Sequence, residues 1–252
     1  MIKLVILGAG NVATHLFNAF FKANNVVVVQ VYNRSGTALE PFAEKTQTTT
    51  SLQELKEADV YLICAKDDAI ESLAKKTPYT DKLIAHTSGS VPLMTVSEKN
   101  GVFYPLQTFS KDVPTDFKKI PICLEASDEH NFKLLQHLAE SISEKNFRIS
   151  TEQRKSLHLA AVFVCNFTNH LYAIGEQLCK ENEVPFEILH SLISETARKT
   201  TIDSPAKMQT GPAVRNDLKT IERHLNQLKN PDFKEIYTLL TQSIKKTNGT
   251  EL

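Results

Sequence analysis

The sequence predicts an α/β fold: a doubly wound, mainly parallel sheet in residues 1–150, followed by an all-α domain in residues 151–252. Three observations carry this expectation. A buried-strand pattern runs through a glycine-rich turn into an amphipathic helix at the start of the chain. Short apolar, β-branched runs then alternate with helical patterns as far as Ile149, as in a sheet covered by helices on both faces. Beyond Ser150 the apolar periodicity is helical throughout.

The first strand covers residues 4–7, where β-branched Val5 and Ile6 suit burial on both faces. It leads into Gly8-Ala9-Gly10-Asn11-Val12-Ala13 and a helix with Leu16, Phe17, Phe20 and Phe21 on one side. Strand, glycine turn and helix in this order open a dinucleotide-binding βαβ unit. Gly8 permits the tight turn, Gly10 lets the backbone approach a pyrophosphate, and Ala13 is small enough for close helix–strand packing. The helix N-terminus offers free N–H groups and partial positive charge to the phosphates. Gly8, Ala9, Gly10, Asn11 and Val12 are therefore assigned to cofactor binding.

The second strand covers residues 25–32 and ends in Asn33-Arg34-Ser35-Gly36. In NAD-binding folds a carboxylate about 20 positions beyond the glycines holds the ribose 2′-hydroxyl. Asn33 stands there, followed by Arg34 and Ser35. Nothing repels a 2′-phosphate, and a guanidinium and a hydroxyl are placed to receive it. The same residues suit an ordinary turn, but within this fold they point to NADP(H).

Residues 48–50 give a short third strand, 51–58 a helix and 59–65 a fourth strand, with a further helix to about residue 76. Ala65, Lys66 and Asp67 then lie on the carboxyl edge, where ligands bind in such sheets. They join the cofactor set, although Asp67 and Asp68 are read first as helix caps. Residues 82–85 deliver His86-Thr87-Ser88-Gly89-Ser90 to the same edge. That loop is either a plain turn or a holder of a carboxylate or carbonyl oxygen. Residues 102–110, a strand at 120–124, a helix at 128–142 and a strand at 146–149 complete this half.

Ser150 with Gln153 predicts a capping box at the start of a helix reaching about residue 180. Pro185 opens a second helix, and Asp217 and Asn230 cap two more after a loop at 201–216. In the long helix, residues 157–167 are apolar almost all round, which predicts burial. His158, Asn166 and Asn169 fall within one stripe roughly 80° wide. The stripe reads as a polar seam facing a cleft, or as a satisfied core histidine with two interhelical amides. Arg215 is an anion ligand or a surface arginine ahead of a cap.

Charge is balanced, 29 basic against 29 acidic residues, so no nucleic-acid partner is indicated. Unbroken apolar runs are too short for a membrane span and no leader pattern precedes the first strand. Cys64, Cys123, Cys165 and Cys179 have no metal-like spacing. A cytoplasmic protein without a metal site is expected.

Residues 8–13 with Asn33-Arg34-Ser35 resemble the NADP-binding half of pyrroline-5-carboxylate reductase. That half is shared with deazaflavin-dependent NADP oxidoreductases and, more distantly, β-hydroxyacid dehydrogenases. The segments His86-Thr87-Ser88-Gly89, Tyr104-Pro105-Leu106-Gln107-Thr108-Phe109, His158-Leu-Ala-Ala-Val-Phe with Asn166, and Gly211-Pro212-Ala213-Val214-Arg215 are similar to those of one bacterial family. Its members join a Rossmann-like domain to a helical domain of unknown function. The resemblance covers nearly the whole chain. It implies a 6-phosphogluconate-dehydrogenase-like helical domain, an NADP(H)-dependent oxidoreductase, and a homodimer built through the helical part.

In the related dehydrogenases the first long helix of that domain lines the site, commonly with a catalytic lysine and an asparagine two turns along. Those places fall to His158 and Asn166 here, and histidine suits acid–base chemistry on a carbonyl or imine. Catalysis is expected from His158, Asn166 and Ser88, and substrate binding from His86, Thr87, Gly89, Asn169 and Arg215. The reaction implied is hydride transfer to or from a small polar C=O or C=N group. A non-catalytic NADP-binding sensor or interaction module is the alternative.

Overall fold

The computed structural model describes residues 1–249. They form two compact units, Met1–Cys165 and a second beginning at Asn166. In the first, β1 (Ile2–Leu7), β2 (Val26–Tyr32), β3 (Gln47–Thr49), β4 (Val60–Ile63), β5 (Leu83–His86), β6 (Asn100–Pro105), β7 (Ile122–Ala126) and β8 (Asn146–Arg148) make one sheet. Its order is β3-β2-β1-β4-β5-β6-β7-β8. Only the β6–β7 pairing is antiparallel. The strand order grows outward from β1 in both directions, so a crevice opens at the carboxyl ends of β1 and β4. The doubly wound, mainly parallel Rossmann sheet is the one expected.

Helices α1 (Asn11–Phe21), α2 (Glu40–Ala43), α3 (Asp67–Lys76) and α4 (Glu129–Glu140) belong to the same unit. The two-residue period of β1 divides its apolar run between two layers. Leu4 and Ile6 pack with Leu16, Phe17 and Phe20 of α1 and Leu135 and Leu138 of α4. Val5 and Leu7 join Ile70 and Ala74 of α3 on the other side. Each fully buried side chain of this kind contributes about 1.5–3 kcal/mol, so β1 is the centre of both layers.

Two local expectations are corrected here. Residues 51–58 form only a short 3₁₀ turn, Leu52–Glu54. The buried Gln30 side chain of β2 donates to the Glu54 carbonyl at 3.1 Å and accepts from Lys56 N–H at 2.8 Å, satisfying groups that a helix would have paired. Asp67 and Asp68 lie in the first turn of α3, favourable toward its dipole, but the N-cap is Lys66 and no side chain caps it.

The sheet ends at Arg148, and α5 (Thr151–Ala161) begins with the expected capping box: Ser150 N–H donates to Gln153 at 2.8 Å, and Gln153 N–H to Ser150 Oγ at 3.3 Å. A π-helical segment, Val162–Phe167, follows and leads into α6 (Thr168–Glu181). The division between compact units falls inside that segment. A π-turn winds more slowly than an α-turn, so the uniform phase that placed His158, Asn166 and Asn169 in one stripe is interrupted. The second unit continues with α7 (His190–Thr200), α8 (Leu218–Gln227) and α9 (Pro231–Thr247). Asp217 and Asn230 cap α8 and α9 as expected, at 3.1 and 2.9 Å.

The predicted burial of residues 157–167 is not found. Phe163 and Val164 are 61% and 75% exposed, and Leu159, Phe167, Asn166 and Asn169 are exposed as well. By length and composition alone, Thr151–Glu181 is also long and apolar enough to cross a membrane, which corrects the expectation from unbroken runs. Its longest unbroken apolar run is only residues 159–165, and its other apolar residues are interspersed with polar ones.

Candidate active site

A cleft of about 950 Å³ opens at the carboxyl ends of β1, β2 and β4, and Gly8, Ala9, Gly10, Asn11, Val12, Asn33, Arg34, Ala65 and Lys66 are among the residues that line it. Gly8 has φ +129°, and a Cβ there would lie 2.2 Å from the Cys64 carbonyl oxygen. No other residue fits between β1 and β4 at that point. Gly10 is the N-cap of α1 without a side-chain cap, and a Cβ built on it would meet nothing within 4 Å. Open space in front of uncapped helical N–H groups fits a pyrophosphate. Asn11 also donates from its amide to the Phe109 carbonyl at 2.9 Å, and His15 bonds Ser110 O at 2.9 Å. Both tie the 104–110 segment to α1.

At the end of β2, the Asn33 amide donates to Ser35 O at 3.0 Å and holds the turn. Arg34 lines the cleft, whereas Ser35 does not; its hydroxyl pairs with Thr37 at 2.8 Å. Lys76, at the opposite end of α3 from Lys66, also lines the cleft, as does Asp68. In the sequence Lys76 looked like any lysine in the last turn of a helix. Asp67 leaves the cofactor set, because its carboxylate accepts the Ser90 hydroxyl and ties α3 to the 86–90 loop. Thr87 moves from the substrate set to the cofactor cleft, which it lines.

His86 is fully buried, with Nε2 bonded to Pro92 O at 3.1 Å and Nδ1 accepting Ser88 N–H at 3.2 Å. These partners assign the proton to Nε2. Burial holds its pKa down at about 4, with the Arg154 charge adding to the effect against the bond to Pro92. His86 therefore shapes the loop and has no ring nitrogen for a substrate. A buried neutral histidine costs stability wherever the unfolded chain takes up a proton and the native one does not. Stability is accordingly expected to be fully present above about pH 6.5 and to fall by roughly 3 kcal/mol as pH drops toward 4. His86→Gln should flatten that part of a urea-denaturation pH series.

Ser88 Oγ accepts the N–H groups of Ser90 and Val91, both at 3.1 Å. Its hydroxyl lies 3.3 Å from Ser90 Oγ, whose own hydrogen goes to Asp67, so its donor is also directed within the loop, away from the substrate oxygen expected of it. Gly89 sits beneath two rings: a Cβ there would lie 2.7 Å from His158 Nδ1 and 2.8 Å from Tyr104 Cζ. Its role is to make room rather than to bind. His158 is half-buried, its Nδ1 is 3.1 Å from the Tyr104 hydroxyl, and the rings meet edge-on at 6.0 Å. Burial pushes the Tyr104 phenol up to about 12.

Arg154, one helical turn before His158, is fully buried and was missed in the sequence. Its Nη1 donates to Val91 O at 2.6 Å, Ser88 O at 3.2 Å and Gly89 O at 3.3 Å. Its Nη2 donates to Glu125 at 2.8 Å, and Glu125 also accepts Thr151 N–H at 2.8 Å. One ion pair thus joins the end of β7, the start of α5 and the loop after β5. The signal that would have found it is the i, i+4 spacing from His158. Asn166, Asn169 and Arg215 are exposed residues of the second unit.

Residues 3–87 match the family model described as NADP oxidoreductase, coenzyme F420-dependent. Residues 120–244 match the model described as domain of unknown function (DUF2520). No curated protein matches the sequence. The solved structure of a candidate NADP oxidoreductase from Bacteroides fragilis is 40% identical over 97% of this chain and 98% of its own, with a TM-score of 0.90. An imine reductase from Myxococcus stipitatus in complex with NADP+ is 13% identical over 98% and 94% of the two chains, with a TM-score of 0.69. Pyrroline carboxylate reductase from Plasmodium falciparum with NADP bound is 16% identical over 98% and 97%, with a TM-score of 0.59. These two share the fold. With its 40% identity to the Bacteroides fragilis protein and matches to both domain models, the chain belongs to the NADP oxidoreductase family in which a Rossmann-like domain is followed by this helical domain.

Proposed function

We propose that the protein transfers a hydride between NADP(H) and a small polar carbonyl/alcohol or imine/amine substrate. The observation that carries this reading is a convergence on one sheet edge. The cleft built around Gly8 and Gly10 has Arg34 and no carboxylate lining its β2 end, and its wall includes Thr87. Two residues further on, Gly89 lies against the His158 and Tyr104 rings. Two residues of chain span at most about 7 Å, so an acid–base pair stands within reach of the cleft.

The bound cofactor supplies or accepts the hydride. The chain's own residues bind, orient and handle the proton. Gly8, Gly10 and the α1 N-terminus hold the pyrophosphate, and Arg34 draws the 2′-phosphate. His158 gives or takes the proton at the substrate heteroatom. The test is thermal stabilisation by NADPH against NADH, in wild type and in Arg34→Ala. NADPH is expected to stabilise more, and the variant to lose roughly tenfold in NADPH affinity, about 1.4 kcal/mol. Equal shifts with NADH would remove the specificity argument.

The same reading includes a homodimer through the helical part. Leu159, Val164 and Leu171 on one helical run are exposed apolar side chains, which supports a covered face. Sedimentation of the full chain is expected to give twice the monomer mass, and a monomer at micromolar concentration would reject it. Balanced charge and four free cysteines support a cytoplasmic location.

A further inference from the structure

We infer that Tyr104 is a positioning residue for His158: its phenol donates to Nδ1 and keeps the neutral imidazole in the tautomer that offers Nε2–H to the substrate heteroatom. This rests on the reductase reading given above, which names the substrate class but leaves the source and direction of the proton open.

The geometry is assembled from three separate elements. Tyr104 comes from β6, Gly89 from the loop after β5 and His158 from α5. The 3.1 Å contact between phenol and Nδ1 exists only because position 89 has no side chain, since a Cβ there would press on both rings. Arg154 holds the Gly89 carbonyl at 3.3 Å and sits one turn before His158, so the loop and the helix face that carry the pair are pinned by the same guanidinium.

Burial keeps the phenol protonated, and Nδ1, 3.1 Å from its oxygen, is assigned in this proposal as the acceptor of its hydrogen. A neutral imidazole carries one proton, which then resides on Nε2. In the reducing direction a C–H bond of the reduced nicotinamide would break, and its hydride, with the electron pair, would form the new C–H bond at the substrate carbon. The π pair of the C=O or C=N bond forms a bond to the Nε2 proton as Nε2–H breaks. Nδ1 takes the phenol proton as the Tyr104 O–H breaks, so the ring leaves as the opposite neutral tautomer and never becomes an imidazolate. To restore the starting tautomer, Nδ1–H returns its proton to the phenolate, which lies within the field of the Arg154 cation, as Nε2 takes a proton from water and hydroxide leaves to solvent. Oxidation runs the same steps backward.

The tautomer is read directly from the ring nitrogens by ¹⁵N NMR of the full-length protein labelled at histidine. The His158 resonances are identified by their loss in His158→Gln. The wild type is expected to show a single tautomer, with Nδ1 unprotonated and Nε2 protonated. Tyr104→Phe is expected to keep its stabilisation by NADPH, while the Nδ1 resonance moves toward that of free neutral histidine and the single-tautomer signature is lost. A protonated Nδ1 in the neutral wild-type ring, or an unchanged spectrum in a folded Tyr104→Phe, overturns the proposal. Should Tyr104→Phe not fold, the wild-type spectrum decides alone. The measurement needs no substrate, so its failure is distinct from failure of the reductase reading, which would appear as no NADPH oxidation with small carbonyls or imines.

Discussion

Arg154→Met is expected to destabilise the sheet unit by about 3–5 kcal/mol, the loss that follows removal of one partner from a buried ion pair. The Arg154 side chain is fully buried and that of Glu125 is 16% exposed, so water takes over few of the vacated bonds. Methionine fills much of the volume but leaves the Glu125 carboxylate with Thr151 as its remaining partner. It also strips the carbonyls of Ser88, Gly89 and Val91 of their shared donor, each a further desolvation cost. For a chain of this size the midpoint of thermal unfolding should fall by on the order of 10 °C. The double variant Arg154→Met with Glu125→Leu should recover a large part of that loss, because no charge is then left buried and unpaired. Circular dichroism melts of the wild type and both variants check this. A loss under about 1 kcal/mol in the single variant would show that the pair contributes little.

His158→Ala should lower kcat/KM for carbonyl or imine reduction by roughly 10²–10⁴-fold, the contribution of a positioned acid–base group. That corresponds to about 2.7–5.5 kcal/mol in the barrier. NADPH affinity should hardly change, because the ring packs on Gly89 and Tyr104 while the cleft is lined by residues of β1, β2, β4 and the helices after them. Steady-state rates with NADPH saturating, together with calorimetric NADPH titrations, separate the two effects. Full turnover in the variant would take His158 out of the mechanism. A parallel collapse of NADPH binding would instead mark it as part of the cofactor site.

The β1–glycine–α1 unit was legible because its signals are local. The alternation of Leu4, Val5, Ile6 and Leu7 between two layers and the spacing of Gly8 and Gly10 both act over a few residues. The caps at Ser150, Asp217 and Asn230 were legible for the same reason, since the acceptor and its donor lie within three residues. The missing helix at 51–58 was not, because it is undone by Gln30, more than twenty positions away. The burial expected for residues 157–167 was not legible either, because an apolar pattern reports what a side chain prefers and not which residues the fold brings against it.

The site divides along the same line. Residue type and order alone determined the doubly wound sheet, the glycine turn at Gly8 and Gly10, and Arg34 in place of a carboxylate, while His158 was singled out as an acid–base candidate by the family resemblance. Only the tertiary structure decided that His86 and Ser88 turn inward to build their own loop, that Thr87 belongs to the cofactor cleft, and that Asp67 ties α3 to Ser90. It also brought Tyr104 to His158 and Arg154 to Glu125. The physical reason is the reach of the bonds involved. Strands, caps and glycine turns are set by neighbours in the chain, whereas a buried polar group is defined by whichever partner the fold carries to it.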